Sequence, residues 1–121
     1  MAELKVVICG GRDFYGSEVF TEFVDDCLAE IKKDHKITVL SGHCSGVDTM
    51  AEEYAKANGY EVRIFPEEWA RYGKGAGPKR NLQMANEADA VIAFWNGSSR
   101  GTGNMIETAK KLKKAVYVRM I

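Results

Sequence analysis

A lone carboxylate, Glu107, follows the glycine-rich stretch WNGSSRGTG at residues 95–103. Glycine-rich turns that enter a helix leave backbone N–H groups free to point at an anion, and the helix dipole favours a phosphate there. A carboxylate beside a bound sugar phosphate can stabilise the oxocarbenium-like state through which a glycosidic bond breaks, while an arginine holds the phosphate. Glu107 is therefore a candidate catalytic residue, although an acid in the first turn of a helix also stabilises that helix by about 0.3–1 kcal/mol.

Two more glycine-containing stretches can contribute to the same site, GGRDFYG at residues 10–16 and SGHCSG at residues 41–46. Turn geometry alone explains glycine in any one of these stretches, but three together favour a ligand-binding role. The candidate ligand-binding residues are Gly11, Arg12, Asp13, Ser41, Gly42, Ser45, Gly46, Asp48, Gly97, Gly101, Thr102 and Gly103.

Some of these residues also have a purely structural interpretation. Ser45 and Asp48 have the spacing of a helix capping pair, which explains both without a ligand. Arg12 and Asp13 can form a local salt bridge or hold a sugar phosphate, and we favour the second because charged residues at that edge face the predicted crevice. The common nucleotide motifs are missing from the sequence, because no GxGxxG follows the first apolar run and no Walker sequence occurs.

Apolar runs alternate with helical patterns along the chain. Five runs rich in Val, Ile and aromatic residues predict buried strands at 4–9, 37–41, 60–65, 90–95 and 115–120. Helices are predicted from 17 to about 33 and at 45–58, 78–88 and 102–114. This alternation predicts one α/β domain over residues 1–121, a three-layer Rossmann-like fold whose five-stranded parallel sheet has the order 3-2-1-4-5. The carboxyl ends of the first and fourth strands then form a ligand-binding crevice.

Composition narrows the class of ligand. Seventeen basic and seventeen acidic residues cancel without forming blocks of like charge, so we expect a small molecule and no nucleic-acid partner. Three cysteines without CxxC spacing favour a reducing cytoplasm. The first apolar stretch is too short for a signal peptide or a membrane span, so no membrane association is expected. His35 and His43 lack ligand spacing, and we predict neither a metal nor a cofactor.

The connection at residues 66–77, PEEWARYGKGAG, is long for a loop between a strand and a helix. Long loops in compact domains tend to be functional or mobile, so this one is predicted to act as a lid over the crevice. Trp69 and Tyr72 can stack on a base from that loop or pack the loop onto the body of the protein.

Four stretches together resemble the SLOG superfamily of Rossmann-like domains, named after the Smf/DprA and Lonely-guy proteins. They are GGRDF, LSGHCSGVDTMAEEYA, YGKGAGPKRNLQM and ADAVIAFWNGSSRGTGNMIETA. Within the superfamily the chain is most similar to the small YspA-type proteins, nearly from end to end. The resemblance implies a ligand derived from a nucleotide, such as an NAD- or ADP-ribose-like molecule. It also implies a homodimer, with a tetramer of two dimers left open.

Lonely-guy enzymes cleave the N-glycosidic bond of cytokinin nucleoside monophosphates, and their site motif has counterparts in this chain. Arg80 matches the family arginine, and Glu107 matches the glutamate that follows the loop glycines, here Gly101 and Gly103. The resemblance therefore implies that Arg80 and Glu107 are catalytic. Asn81 stands where that branch has a lysine, and we count Asn81 among the ligand-binding residues.

Three functions are consistent with these patterns. The first is binding of a nucleotide or nucleotide-derived compound in the crevice, in a sensor or processing role. The alternative is an N-glycoside hydrolase, a phosphoribohydrolase that converts nucleoside 5'-monophosphates to a free base and ribose 5-phosphate. The third is a noncatalytic adaptor whose ligand switches protein association.

Overall fold

The computed structural model describes residues 2–32 and 34–121, apart from the side chain of Trp69. Five strands alternate with helices, as the apolar runs predict. The strands are β1 (Glu3–Gly10), β2 (Lys36–Ser41), β3 (Glu61–Ile64), β4 (Ala90–Trp95) and β5 (Ala115–Met120). The helices are α1 (Ser17–Ile31), α2 (Val47–Ala57), α3 (Trp69–Tyr72), α4 (Ala76–Glu87) and α5 (Arg100–Lys111), and a 3-10 turn lies at Gly73–Gly75.

All five strands run parallel in one sheet, in the order β3-β2-β1-β4-β5. The predicted fold class and strand order are therefore confirmed. Two neighbouring parallel strands need a crossover connection, and a helix in such a connection packs on one of the two faces of the sheet. β1 and β4 pair directly, with Gly10 opposite Phe94, so the carboxyl ends of these two strands lie side by side.

Apolar side chains cover both faces of the sheet. On the face under α1 and α2, the rings of Phe14 and Phe20 stack on Phe94 of β4. On the other face, Met84 of α4 and Met105 of α5 belong to a second buried cluster. Full burial of each such side chain contributes roughly 1.5–3 kcal/mol. Because helices occupy both faces, the carboxyl edge of the sheet is the place where loops can form a site.

The start of α2 corrects one prediction. The helix begins at Val47 after Gly46, and no side chain caps it. The Ser45 hydroxyl donates instead to the carbonyl of Arg12 at 3.1 Å, so the predicted capping pair with Asp48 does not form. Gly46 has φ 73° and ψ −123°, a conformation that residues with a Cβ rarely adopt. The loop after β1 thereby sets where α2 starts.

Several other boundaries differ from the predictions, among them those of α4 at Ala76–Glu87 and α5 at Arg100–Lys111. α1 ends at Ile31, and Lys33, its predicted last residue, lies outside the described residues. The predicted loop at 66–77 contains α3, the 3-10 turn and the first residues of α4, so much of it is helical. None of the helices in the described ranges has the length and apolar character needed to cross a bilayer.

Candidate functional site

A cleft of about 1010 Å³ opens at the carboxyl ends of β1 and β4. Residues from the loops after β1, β2 and β4 line it, together with residues from α4 and the end of β5. Small-molecule sites commonly measure about 300–1,000 Å³, so the cleft has room for a nucleotide. The predicted site residues that line it are Gly11, Arg12, Asp13, Asp48, Arg80, Asn81, Gly101 and Thr102.

The remaining predicted site residues do not line the cleft; they are Ser41, Gly42, Ser45, Gly46, Gly97, Gly103 and Glu107. Ser41 is fully buried, and its hydroxyl donates to Glu52 Oε2 at 2.8 Å. Gly42 and Gly46 are required by packing, because a Cβ on Gly42 would collide with the Arg80 guanidinium and a Cβ on Gly46 with the Gly11 carbonyl. These glycines do not line the cleft themselves, but they allow Arg80 and Gly11, which do line it, to pack closely.

Arg80 is buried in the wall of the cleft, and protein acceptors use most of its guanidinium. Nε donates to Asn81 Oδ1 at 3.0 Å, and Nη2 donates to Glu67 Oε1 at 3.0 Å. Nη1 donates to the carbonyls of Gly42 at 3.0 Å and Phe65 at 3.4 Å. An arginine carries five N–H groups, so these four bonds leave one N–H on Nη2 for a ligand.

The hydrogen bonds of Arg80 continue through Asn81 to α5. The Asn81 Nδ2 group donates to the carbonyl of Gly101 at 3.1 Å and to Oδ1 of Asn104 at 3.0 Å. Arg80 and Asn81 are 8% and 5% exposed, so little water competes for these bonds. The network therefore fixes the first turn of α5 relative to α4.

Glu67 pairs with two of the arginines that line the cleft. Its Oε1 lies 3.0 Å from Arg80 Nη2 and 3.8 Å from Arg12 Nη2. Within the described ranges, Arg12 thus pairs with Glu67 and not with its neighbour Asp13. Sequence reasoning missed Glu67, because an acid in a long connection has no spacing that links it to an arginine on the next helix.

The first turn of α5 offers unpaired amides to the cleft. Across residues 2–32 and 34–121, the N–H groups of Arg100, Gly101 and Thr102 have no acceptor, as expected for residues without a partner four positions back. Exposed arginines line the same cleft, namely Arg12, Arg100 and Arg119. The arrangement can bind an anion through amides, the helix dipole and guanidinium groups.

Asp48 and Cys9 also line the cleft. Burial raises the pKa of Asp48 to about 6, and a hydrogen bond from the Cys44 amide and the charge of Arg80 partly oppose that rise. Burial also raises the pKa of the Cys9 thiol well above its usual range, and the Asp48 carboxyl adds to that effect. The cleft therefore contains a carboxyl that titrates close to neutral pH and a thiol that stays protonated.

The sequence of this chain matches a known family model over residues 4–72, more than half of its length. The model describes the YspA, cpYpsA-related SLOG family. The chain belongs to this family. The predicted SLOG membership is thereby confirmed. No curated protein matches the chain significantly.

One of two similar solved structures supports the fold of this SLOG domain. The X-ray structure of TM1055 is similar over 93% of this chain and 72% of that one, with 24% sequence identity and a TM-score of 0.64. The C-terminal domain of the PF1911 hydrogenase from Pyrococcus furiosus is similar over 98% of this chain and 94% of that one, with 14% identity and a TM-score of 0.47. The first similarity supports the Rossmann-like architecture, and neither extends to function.

Glu107 lies apart from the cleft of the SLOG domain. Its side chain is 71% exposed, and its carboxylate lies 3.5 Å from the Nζ atom of Lys111 one turn later. The buried face of α5 is formed by Thr102, Met105, Ile106 and Ala109. The structure does not bring Glu107 together with Arg80, so its catalytic role stays a prediction.

The segment between β3 and α4 also bears on the predicted lid. The ring centre of Tyr72 lies 5.2 Å from the guanidinium carbon of Arg71 and 5.2 Å from Nζ of Lys79. Tyr72 does not line the cleft, and its ring contacts Arg71 of the same segment and Lys79 of α4. Both of its predicted roles stay predictions. The predicted role of the Trp69 side chain lies outside the described residues. Closure of this segment over a ligand stays a prediction.

Proposed function

We propose that the cleft binds a nucleotide or a nucleotide-derived compound, such as a phosphoribosyl, NAD- or ADP-ribose-like molecule, in a sensor or processing role. The observation that carries this proposal is the first turn of α5, whose unpaired amides at residues 100–102 line the cleft beside exposed arginines. Helix N-termini and guanidinium groups are the usual protein partners of phosphate. Membership in a SLOG family is consistent with this class of ligand.

Apolar side chains in the same cleft suit the uncharged part of such a ligand. Phe14 and Val19 line it on the α1 side, and Met120 and Ile121 line it at the end of β5. A base or a nicotinamide ring gains stability when it is removed from water onto such side chains. The phosphates would lie at α5, and the ring would pack on the apolar side chains.

The carboxylate predicted for cleavage of an N-glycosidic bond, Glu107, does not line the cleft, so we propose binding and not cleavage. The hydrolase would need a carboxylate at the anomeric carbon. Glu107, the residue predicted for that role, is exposed and paired with Lys111. Base release is therefore not part of the proposal, and the test below looks for it. The adaptor function is not part of the proposal either. The homodimer and the cytoplasmic location also stay predictions.

The test is calorimetric titration of the full chain with ADP-ribose, NAD, AMP and ribose 5-phosphate, with parallel chromatography for free base. We expect at least one of these ligands to bind. The Arg100→Ala variant should bind it about tenfold more weakly, because a charge-assisted hydrogen bond to phosphate contributes about 1.5–3 kcal/mol.

The matched control is Lys110→Ala, which removes one positive charge from the exposed last turn of the same helix. Its affinity should stay within twofold of the wild type. Failure of all four ligands to bind, or equal affinities for the two variants, would overturn the proposal. Release of a free base would instead support the hydrolase.

A further inference from the structure

Asp48 is a nearly fully buried carboxyl in the cleft, and the proposed function so far gives it no ligand group to bind. It is the second residue of α2, lines the cleft and is 7% exposed. A carboxyl removed from water is costly unless hydrogen bonds satisfy its oxygens. The partners of its two oxygens therefore indicate what it can do.

Only one of the two oxygens has a strong protein partner. The amide of Cys44 donates to Oδ2 at 3.1 Å, whereas the Cys44 thiol donates to the carbonyl of Gly42 at 3.9 Å. The other oxygen, Oδ1, has no hydrogen-bond donor within the described ranges. No side-chain oxygen that is sealed from solvent lacks a partner in those same ranges, so Oδ1 keeps some contact with solvent, and Asp48 lines the cleft.

The charged neighbours of Asp48 leave that oxygen free. Arg80 on α4 favours the carboxylate, but its ion pair is with Glu67 and not with Asp48. Glu52 on α2 and Cys9 on β1 are the other ionisable groups that face Asp48, and neither donates a hydrogen bond to it. Asp48 therefore keeps an acceptor available to whatever occupies the cleft.

The group that meets this acceptor must be a hydrogen-bond donor, because a carboxylate repels phosphate. A nucleotide carries two kinds of donor, the ribose hydroxyls and the N–H groups of some bases. The ribose is common to every ligand in the proposed class, whereas the donors of the base differ from one nucleotide to another. The sugar is thus the part of the ligand that one fixed carboxyl can recognise across the class.

We infer that Asp48 accepts a hydrogen bond from the ribose of the ligand and makes the cleft selective for ribosyl over deoxyribosyl compounds. This inference rests on the proposed function, because it needs a phosphorylated sugar in the cleft. Asp48 then acts as a specificity-determining residue, while the amides of α5 and the exposed arginines bind the phosphate. Its Oδ2 stays on the Cys44 amide, which holds the carboxyl in place.

The first experiment compares ligands on the wild-type chain, so it does not depend on whether a variant folds. Calorimetric affinities are measured for AMP, 2'-deoxy-AMP, 3'-deoxy-AMP and IMP. We expect one or both deoxy compounds to bind about tenfold or more weakly than AMP, because the carboxyl then loses a donor. IMP differs in the base alone and should bind within about threefold of AMP.

The second experiment repeats these titrations with Asp48→Asn, whose amide oxygen can still accept from Cys44. The preference of AMP over its deoxy analogues should fall close to one in this variant. The matched control is Glu53→Gln, which removes a carboxylate from the exposed side of the same helix and should keep the wild-type preference. A merely structural role for Asp48 would weaken all ligands alike and leave the preference unchanged.

The outcomes separate the inference from the proposed function. If no nucleotide binds the wild type, the proposed function fails. If AMP and both deoxy analogues bind equally well, the proposed function stands and the inference is overturned. The inference is also overturned if Asp48→Asn keeps the preference for ribose, or if it changes the ratio of AMP to IMP and not the ratio of AMP to the deoxy compounds.

Discussion

The turn before α2 and the turn before α5 look alike in sequence, SGHCSG and NGSSRG, but their backbone amides have different partners. At α2, the amide of Gly46 donates to the Tyr15 hydroxyl at 3.2 Å, and the amide of Val47 donates to the Gly11 carbonyl at 3.1 Å. At α5, the amides of residues 100–102 have no partner in the part of the chain that the structure describes. The first turn joins two loops, whereas the amides of the second have no acceptor among the described residues.

Glycine has a different meaning in the two turns. Gly46 has a positive φ, and a Cβ there would collide with the backbone of Gly11 and Arg12. A Cβ on Gly101 would have no other atom within 4 Å, and no positive φ requires glycine at that position. Packing therefore requires glycine at residue 46. Nothing within the described residues requires it at residue 101. We regard the second kind of glycine as the better indicator of a binding site.

Replacing these two glycines should produce the largest contrast. Gly46→Ala should lower the free energy of unfolding by about 3 kcal/mol or more, because it combines an unfavourable φ with a backbone clash. For a chain of this size that corresponds to a fall of roughly 10 °C in Tm. Gly101→Ala should change stability by less than about 1 kcal/mol. Similar urea midpoints for the two variants would remove the distinction between the turns.

The second expected effect concerns Arg80, which is hydrogen-bonded to Gly42 in the turn before α2 and, through Asn81, to the first turn of α5. Arg80→Ala should destabilise the protein by about 3 kcal/mol, because it leaves Glu67 and the Gly42 carbonyl without their donor in a poorly hydrated place. Lys79→Ala is the matched control on the exposed side of α4, and it should cost under about 1 kcal/mol. Equal unfolding free energies for the two variants would show that the network does not join α4 to α5.

The third effect is a pH dependence of the free energy of unfolding, and it comes from Asp48 of α2. The pKa of Asp48 is about 6 in the folded chain, above the ordinary value of 3.8, so the folded state binds the proton more tightly. Stability from this group is therefore present below about pH 4 and is lost as the pH rises to about 6. The loss should be on the order of 2–3 kcal/mol, at about 1.4 kcal/mol for each pH unit.

Urea denaturation of the wild type and Asp48→Asn between pH 4 and 7 measures this effect. The variant should gain stability relative to the wild type over that range, because its amide does not titrate. Glu53→Gln serves as the control for loss of a carboxylate from α2. A constant difference between wild type and Asp48→Asn at every pH would contradict the raised pKa.

The smallest effect should come from Glu107. Glu107→Gln removes an exposed ion pair between residues one turn apart, which contributes less than about 0.5 kcal/mol. The affinity of the cleft for ADP-ribose should stay within twofold of the wild type, as measured by calorimetry. A tenfold loss of affinity would instead bring Glu107 into the site, as the Lonely-guy resemblance implies.

The fold could be predicted from the sequence because its signals are local. Strands of a parallel sheet are buried on both faces, so each one is a continuous apolar run, and β4 and β5 have the predicted boundaries. The start of α2 could not be predicted in the same way. It depends on the contact between Gly46 and the loop after β1, which are far apart in the sequence.

The candidate site was predictable only in part. Strand order explains why Arg12, Asp48 and Arg80 line one cleft, but the bond from Arg80 to Glu67 depends on how the long connection at 66–77 folds. The position of Glu107 did have a signal in the sequence. The apolar residues Met105, Ile106 and Ala109 define the buried face of α5, and residue 107 falls outside that face at 100° per residue.

The thiol of Cys9 has a practical consequence for work on this protein. Cys9 lines the cleft and keeps some exposure, yet the protein around it holds its pKa above the usual range for cysteine. Because the thiolate is the form that attacks electrophiles, iodoacetamide or peroxide should modify this side chain slowly at neutral pH. Cys9 is thus a poor target for electrophiles and oxidants, and these reagents should leave this part of the cleft surface unchanged.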